Sequence, residues 1–124
     1  MPVLTDYARN LMVRALCARA PSLPTAVYAA LGTGGTTSAG LAGEPAGNGY
    51  ARQRVVFTGT GLQRNVEALR FVFTGAAGTL THVGLFDAAA GGNALAFGPL
   101  VQTAPVSGAG TVTIAAEALT IDAE

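Results

Sequence analysis

The spacing of the apolar residues changes once along this chain, and the change falls at two prolines. Before them, Leu4, Tyr7, Ala8, Leu11, Met12, Ala15 and Leu16 recur at intervals of three and four, the spacing of one helix face. Beyond Pro21 and Pro24 that spacing does not return. Proline cannot continue the helical hydrogen-bond ladder, so a helix is predicted within residues 1–20 and a separate β region over 25–124. Thr5 or Asp6 suits the helix N-terminus, where a side-chain oxygen accepts an orphan backbone N–H. Arg14 and Arg19 suit the negative end of the dipole. With no second helical period there is nothing to build βαβ crossovers, which argues against a parallel sheet.

The β region divides at its turn residues. Strands are predicted over 25–31, 50–57, 66–73, 79–86, 95–101, 111–116 and 118–122, separated by Gly, Asn, Asp and Ser clusters that favour tight turns. Gly98-Pro99 inside the fifth strand predicts a bend, bulge or edge position. Apolar residues are even-numbered at Val112 and Ile114 but odd-numbered at Leu119 and Ile121, so the inward parity breaks near Glu117. On strand 79–86, Val83 and Leu85 share one face and Leu80, His82 and Phe86 the other. Residues 32–49 form a long Gly/Thr/Ser loop. The expected fold is mainly β: a short N-terminal helix, then an antiparallel β-sandwich or small barrel of about seven strands in a single domain.

Composition narrows the function. The 124 residues carry seven Arg, no Lys and seven acids, with 11% charged and 50% hydrophobic residues. That is too apolar for a disordered chain and too neutral for a general nucleic-acid binder, which neutralises phosphates with cations. One cysteine excludes an internal disulfide and a cysteine zinc cluster. So little charge on a small chain points to a surface covered by assembly. Asp6, Arg9, Arg14 and Arg19 interrupt the first twenty residues, unlike a secretory signal, and no run of about 20 apolar residues suits a bilayer. A cytoplasmic origin without membrane partners is expected.

Candidate catalytic groups are sparse. A Cys17, His82 and Asp87 set has the right residue types for nucleophilic catalysis, but nothing places Cys17 near His82. His82 reads better as a half-buried, hydrogen-bonded strand residue, and Cys17 as a small hydrophobe. No cofactor or metal set is evident. The glycines of 32–38 lack the Lys and the following helix of a phosphate loop. Arg52 and Arg54 fall on one strand face with Arg64 and Arg70 nearby. With no aromatic stacking platform beside them they suit ion pairing, to Glu67, Asp87, Glu117 or acids of another subunit. Losing Arg52 and Arg54 together is expected to weaken assembly and leave melting largely unchanged.

Residues 49–57 (GYARQRVVF) and 80–95 (LTHVGLFDAAAGGNAL), preceded by 25–33 (TAVYAALGT), resemble in that order a family of small tailed-phage virion proteins called tail fibre proteins, also seen in gene transfer particles. The resemblance covers nearly the whole chain. Its motif residues are Tyr50, Arg52, Gln53, His82, Gly84, Phe86, Asp87, Gly91 and Gly92. They read as a hairpin signature. Gly84 leaves room against a neighbouring backbone or aromatic ring, Asp87 starts the turn, and Gly91 and Gly92 take conformations closed to other residues.

The resemblance implies a non-enzymatic structural protein of the virion. A domain of this size has a radius of gyration of about 14 Å, so a small attached unit is expected: a fibre or spike base, or an adaptor. A capsid decoration protein is the alternative. A receptor- or glycan-binding module, with loop 32–49 and an exposed Tyr50 at its tip, is a further one. Other copies of the chain, in a trimer, and other capsid or tail proteins are the expected partners, with a host surface receptor as another. Leu4, Leu11, Arg52 and Arg54 are candidates for the attachment face.

Overall fold

The computed structural model describes residues 3–121. Helix α1 (Asp6–Leu16) is shorter than predicted, and strand β1 (Val3–Leu4) precedes it. Thr5 sets the boundary. Its side-chain oxygen accepts from the Ala8 amide at 3.2 Å while its hydroxyl donates to the Ala94 carbonyl at 2.7 Å. The cap is therefore also a tether to a strand ninety residues away. The helix ends before Pro21 because Ala18 and Ala20 already take positive φ (59° and 48°). Only the first half of its apolar stripe is covered: Ala8 and Leu11 are buried, whereas Met12 and Leu16 are exposed.

Eleven further strands follow: β2 (Val27–Gly32), β3 (Gly34–Thr36), β4 (Gly40–Ala42), β5 (Gln53–Val55), β6 (Phe57–Thr58), β7 (Gln63–Asn65), β8 (Leu69–Phe73), β9 (Gly78–Phe86), β10 (Ala94–Val106), β11 (Gly110–Ile114) and β12 (Thr120–Ile121). The described residues thus hold twelve strands, most of them short, where about seven were expected. The predicted strand 50–57 splits into β5 and β6, and the predicted loop 32–49 contains the β3–β4 hairpin. The last predicted strand runs to Asp122, which lies outside the described residues. Every pairing is antiparallel.

The main sheet has the order β1-β10-β9-β2-β5, beside a β11-β8 pair, a β12-β7-β6 sheet and the β3-β4 hairpin. The sheets form a sandwich, and none closes into a barrel among the described residues. Ala29, Leu31, Val83, Leu85 and Ala96 of the main sheet meet Leu69, Phe71, Phe73 and Ile114 of the β11–β8 pair in one core. Leu80 joins Val83 and Leu85 there, against the simple alternation of β9. The register explains it: Pro99 pairs with His82 but Ala104 with Leu80, so β10 inserts extra residues opposite Thr81. An insertion of this kind disrupts the ladder and increases the local twist, and Leu80 lies on the far side of it from Val83.

The opposite face of the main sheet is covered too. The β3–β4 hairpin lies on β9 and β10. An added side chain at Gly84 would meet Leu41, and one at Gly35 would meet Phe97. With both faces covered, β2 is an almost unbroken apolar run in which Ala29, Ala30 and Leu31 are 0% exposed. At the other end of the molecule, buried Asn65 ties β7 to the C-terminal segment. Its amide donates to the carbonyls of Glu67 (2.8 Å) and Ala115 (3.0 Å), and its oxygen accepts from the Leu119 amide (2.9 Å). The parity break falls at this tie, where Glu117 has φ +65° between β11 and β12.

Candidate functional site

A cluster of hydrogen-bonded polar side chains forms where the Gly-rich segment meets the β9–β10 turn. Glu44 is the only charged residue between Arg19 and Arg52, and it follows directly on the β3–β4 hairpin. Arg52 stands just before β5. Its Nε donates to Glu44 Oε2 at 2.8 Å and its Nη2 to Oε1 at 2.9 Å, a two-pronged pair with geometric as well as electrostatic specificity. Nη1 donates to the carbonyls of Ala88 (2.9 Å) and Gly91 (2.8 Å). The guanidinium carbon lies 3.7 Å from the centroid of the Phe86 ring, within cation–π range. The Arg52 side chain is only 8% exposed and that of Glu44 25%.

Tyr50 completes the cluster. Its hydroxyl donates to Glu44 Oε2 at 2.7 Å and accepts from the Leu31 amide at 3.1 Å. Its ring stacks on Phe73 and Phe71 at centroid distances of 5.8 and 6.3 Å. Tyr50 is thus half-buried, not exposed as the alternative of a receptor- or glycan-binding module has it. Burial raises the Glu44 pKa, but the hydrogen bonds from Arg52 and Tyr50 and the guanidinium charge outweigh it and hold the carboxyl below its usual 4.5. Burial, then donation to Glu44, pushes the Tyr50 phenol well above its usual value. The hydrogen bond to Glu44 raises Arg52 further, against its burial. All three groups are locked in the charge states they hold at neutral pH.

The β9–β10 turn is built as its residues predict. Asp87 Oδ1 accepts from the Asn93 amide at 2.7 Å and Oδ2 from the Asn93 side chain at 3.1 Å. Gly91 and Gly92 take φ of +63° and +74°, which only glycine adopts without strain. That conformation presents the Gly91 carbonyl to Arg52. Gly84 makes its room for the Leu41 side chain, neither a backbone nor an aromatic ring.

The structure therefore joins Tyr50, Arg52, Phe86, Asp87, Gly91 and Gly92 in one cluster. Gln53 stands apart, its side chain turned back to the Ala51 carbonyl at 3.1 Å. His82 is half-buried, its Nδ1 2.8 Å from Thr81 Oγ1. Cys17 is exposed at the helix end. His82 and Asp87 are five residues apart on an extended strand, on the order of 16 Å, so the nucleophilic set is not assembled. Of the residues proposed for attachment, Leu11 is buried and Leu4 half-buried, Arg52 is engaged within the chain, and Arg54 is exposed. The partner of Arg52 is Glu44, which the sequence reading did not single out. Its isolation in a charge-free stretch was the available signal. Among the described residues no three or more His, Cys, Asp or Glu gather as metal ligands, and no helix is long and apolar enough to cross a membrane.

The family described as podophage GP4 fiber I protein gp80 matches residues 3–122 of the chain. No curated protein matches it. A match over nearly the whole length shows the family, and the chain belongs to these podophage fibre proteins.

Proposed function

From that membership, we propose that the chain is a non-enzymatic structural subunit of a tailed bacteriophage or phage-like particle. It sits on the virion exterior as a spike base or adaptor, assembled with further copies of itself, in a trimer, and with other virion proteins. One observation carries the reading. The motif residues with chemistry to offer (Tyr50, Arg52, Asp87 and their partner Glu44) spend their hydrogen bonds inside the chain. Outside the cluster, beside exposed charged side chains such as Arg54, Arg64 and Arg70, large apolar side chains also face outward: Val13, Leu16, Leu23, Val56, Val72 and Val101 are all more than half exposed. Motif residues engaged within the chain, together with large apolar side chains left on the surface, suit a part that is held by its neighbours. A compact unit of about 14 Å radius of gyration serves as a joint, and a long shaft would need many copies end to end. Arg54, exposed on β5, is the residue of the proposed attachment face open to a partner.

Quantitative mass spectrometry of purified particles, against the major capsid protein, tests this. A few to a few dozen copies per particle is the expected result. Hundreds of copies would make the chain a capsid decoration protein, and absence from intact particles would overturn a virion role altogether.

A further inference from the structure

We propose that two copies of this chain join through the bulge of β10, with Val101 of one copy seated in an apolar cavity beside β11 of the next. Residues 100–103 stand opposite Thr81 alone, between the Pro99–His82 and Ala104–Leu80 pairs. They remain extended yet leave the ladder, and Val101 at their centre is 99% exposed. Beside them lies a cavity of about 380 Å³, lined by Val83, Leu100, Val112, Ile114, Ala118 and Leu119 among others. It opens where β10 and β11 diverge. β11 pairs only with β8 among the described strands, so its other edge borders the cavity.

Three features commit the site to a second copy. The first is charge: no charged residue occurs between Asp87 and Glu117, and no residue lining the cavity carries charge. Two identical charged faces repel, whereas two identical uncharged faces do not. The second is shape. One face carries both halves of the contact, a projecting apolar residue on an extended segment and an apolar socket beside a free strand edge. The third is Val101 itself. A small molecule in the cavity reaches Val101 only from the side that lines it, while an extended segment from a neighbour covers that side chain and the β11 edge together. Contacts repeated in this way form a ring where the rotation between copies closes and a filament where it does not. The inference holds wherever on the particle the chain is placed.

Sedimentation of the purified full chain, from about 1 to about 100 µM, tests it. The wild type is expected to show a mass that is a multiple of 12.3 kDa, rising with concentration. Val101→Asp should weaken association at least about tenfold with an unchanged melting temperature, since the side chain packs on nothing. Ala118→Arg, from the socket side, should do the same. A wild type that stays monomeric at the highest concentration overturns the proposal. So does a Val101→Asp chain with the wild-type mass. A monomeric wild type whose Val101→Asp variant no longer enters particles would give the face to another virion protein and also overturn it. Saturable binding of a hydrophobic fluorescent dye by such a monomer would instead make the cavity a small-ligand site.

Discussion

Arg52→Ala removes two hydrogen bonds to Glu44, two to the carbonyls of Ala88 and Gly91, and the stack over Phe86. Hydrogen bonds to charged groups contribute about 1.5–3 kcal/mol each, but such terms do not add within one network. The cost of breaking a buried pair from one side, about 3–5 kcal/mol, is the better guide. Glu44 is a quarter exposed and can recover part of its hydration, which places the loss near the lower bound, about 3 kcal/mol. For 124 residues at about 2.1 cal/mol/K each, the unfolding entropy is about 0.26 kcal/mol/K, and the melting temperature should fall by about 12 °C. Differential scanning calorimetry at neutral pH reads this directly. Arg54→Ala, on the exposed neighbour, is the control and should stay within about 2 °C. Amide hydrogen exchange should quicken across residues 32–49 in the Arg52 variant while β9 keeps its protection. A fall of less than about 4 °C would refute the view that this pair holds the Gly-rich segment. The expected result replaces the sequence-based one, in which loss of both arginines leaves melting unchanged.

Acid should act through the same pair. Because the folded Glu44 pKa lies below 4.5, its contribution is complete above that pH and is lost as pH falls through the folded value. The gap in melting temperature between wild type and Glu44→Gln should stay constant between about pH 5 and 8 and close below 4.5. A gap that persists in acid would contradict the assignment. Gly84→Ala puts a Cβ 2.7 Å from the Leu41 Cβ, so the β3–β4 hairpin must lift, at a cost of about 1–3 kcal/mol. Melting within about 1 °C of wild type would mean that the hairpin is not seated on β9. Asn65→Ala strands the Leu119 amide and the carbonyls of Glu67 and Ala115, for a loss of about 3 kcal/mol. Urea unfolding should show a lower midpoint with an unchanged slope.

The elements legible in the sequence are those whose local chemistry and tertiary setting agree. Thr5 caps the helix, Asp87 and two glycines turn β9 into β10, and the parity change at Glu117 marks a real break. Elements that depend on packing were not legible. Residues 34–42 carry almost no β-forming side chains, and they pair as strands because Leu41 and Phe97 pack at the glycine gaps of Gly84 and Gly35. β10 continues to Val106 because the bulge takes up the mismatch, whereas the predicted strand ended at Val101. The helical stripe was visible in full, but periodicity cannot say how much of a stripe finds a partner, and Leu16 finds none. The core of the candidate site was named at Tyr50, Arg52, Phe86 and the turn glycines. Its missing member, Glu44, lies eight residues from Arg52 across a turn whose course no local pattern specifies.

The place of β9 at the centre of the main sheet bears on how the chain comes to be folded. β2 pairs with β9 across about fifty residues, from Ala30 to Gly84, and β1 finds β10 only at Phe97 and Ala96. β2 can pair with β5 once Val55 is made, but its other edge, and β1, lack their partners until most of the chain has been synthesised. Loop closure over such spans is slow compared with local helix or hairpin formation. Until β9 arrives, Ala29, Ala30 and Leu31, which end fully enclosed, stand on an open edge beside identical edges of other nascent chains. Productive assembly and misassembly thus compete during that interval, and the yield of folded subunit should depend on temperature and synthesis rate more than on final stability.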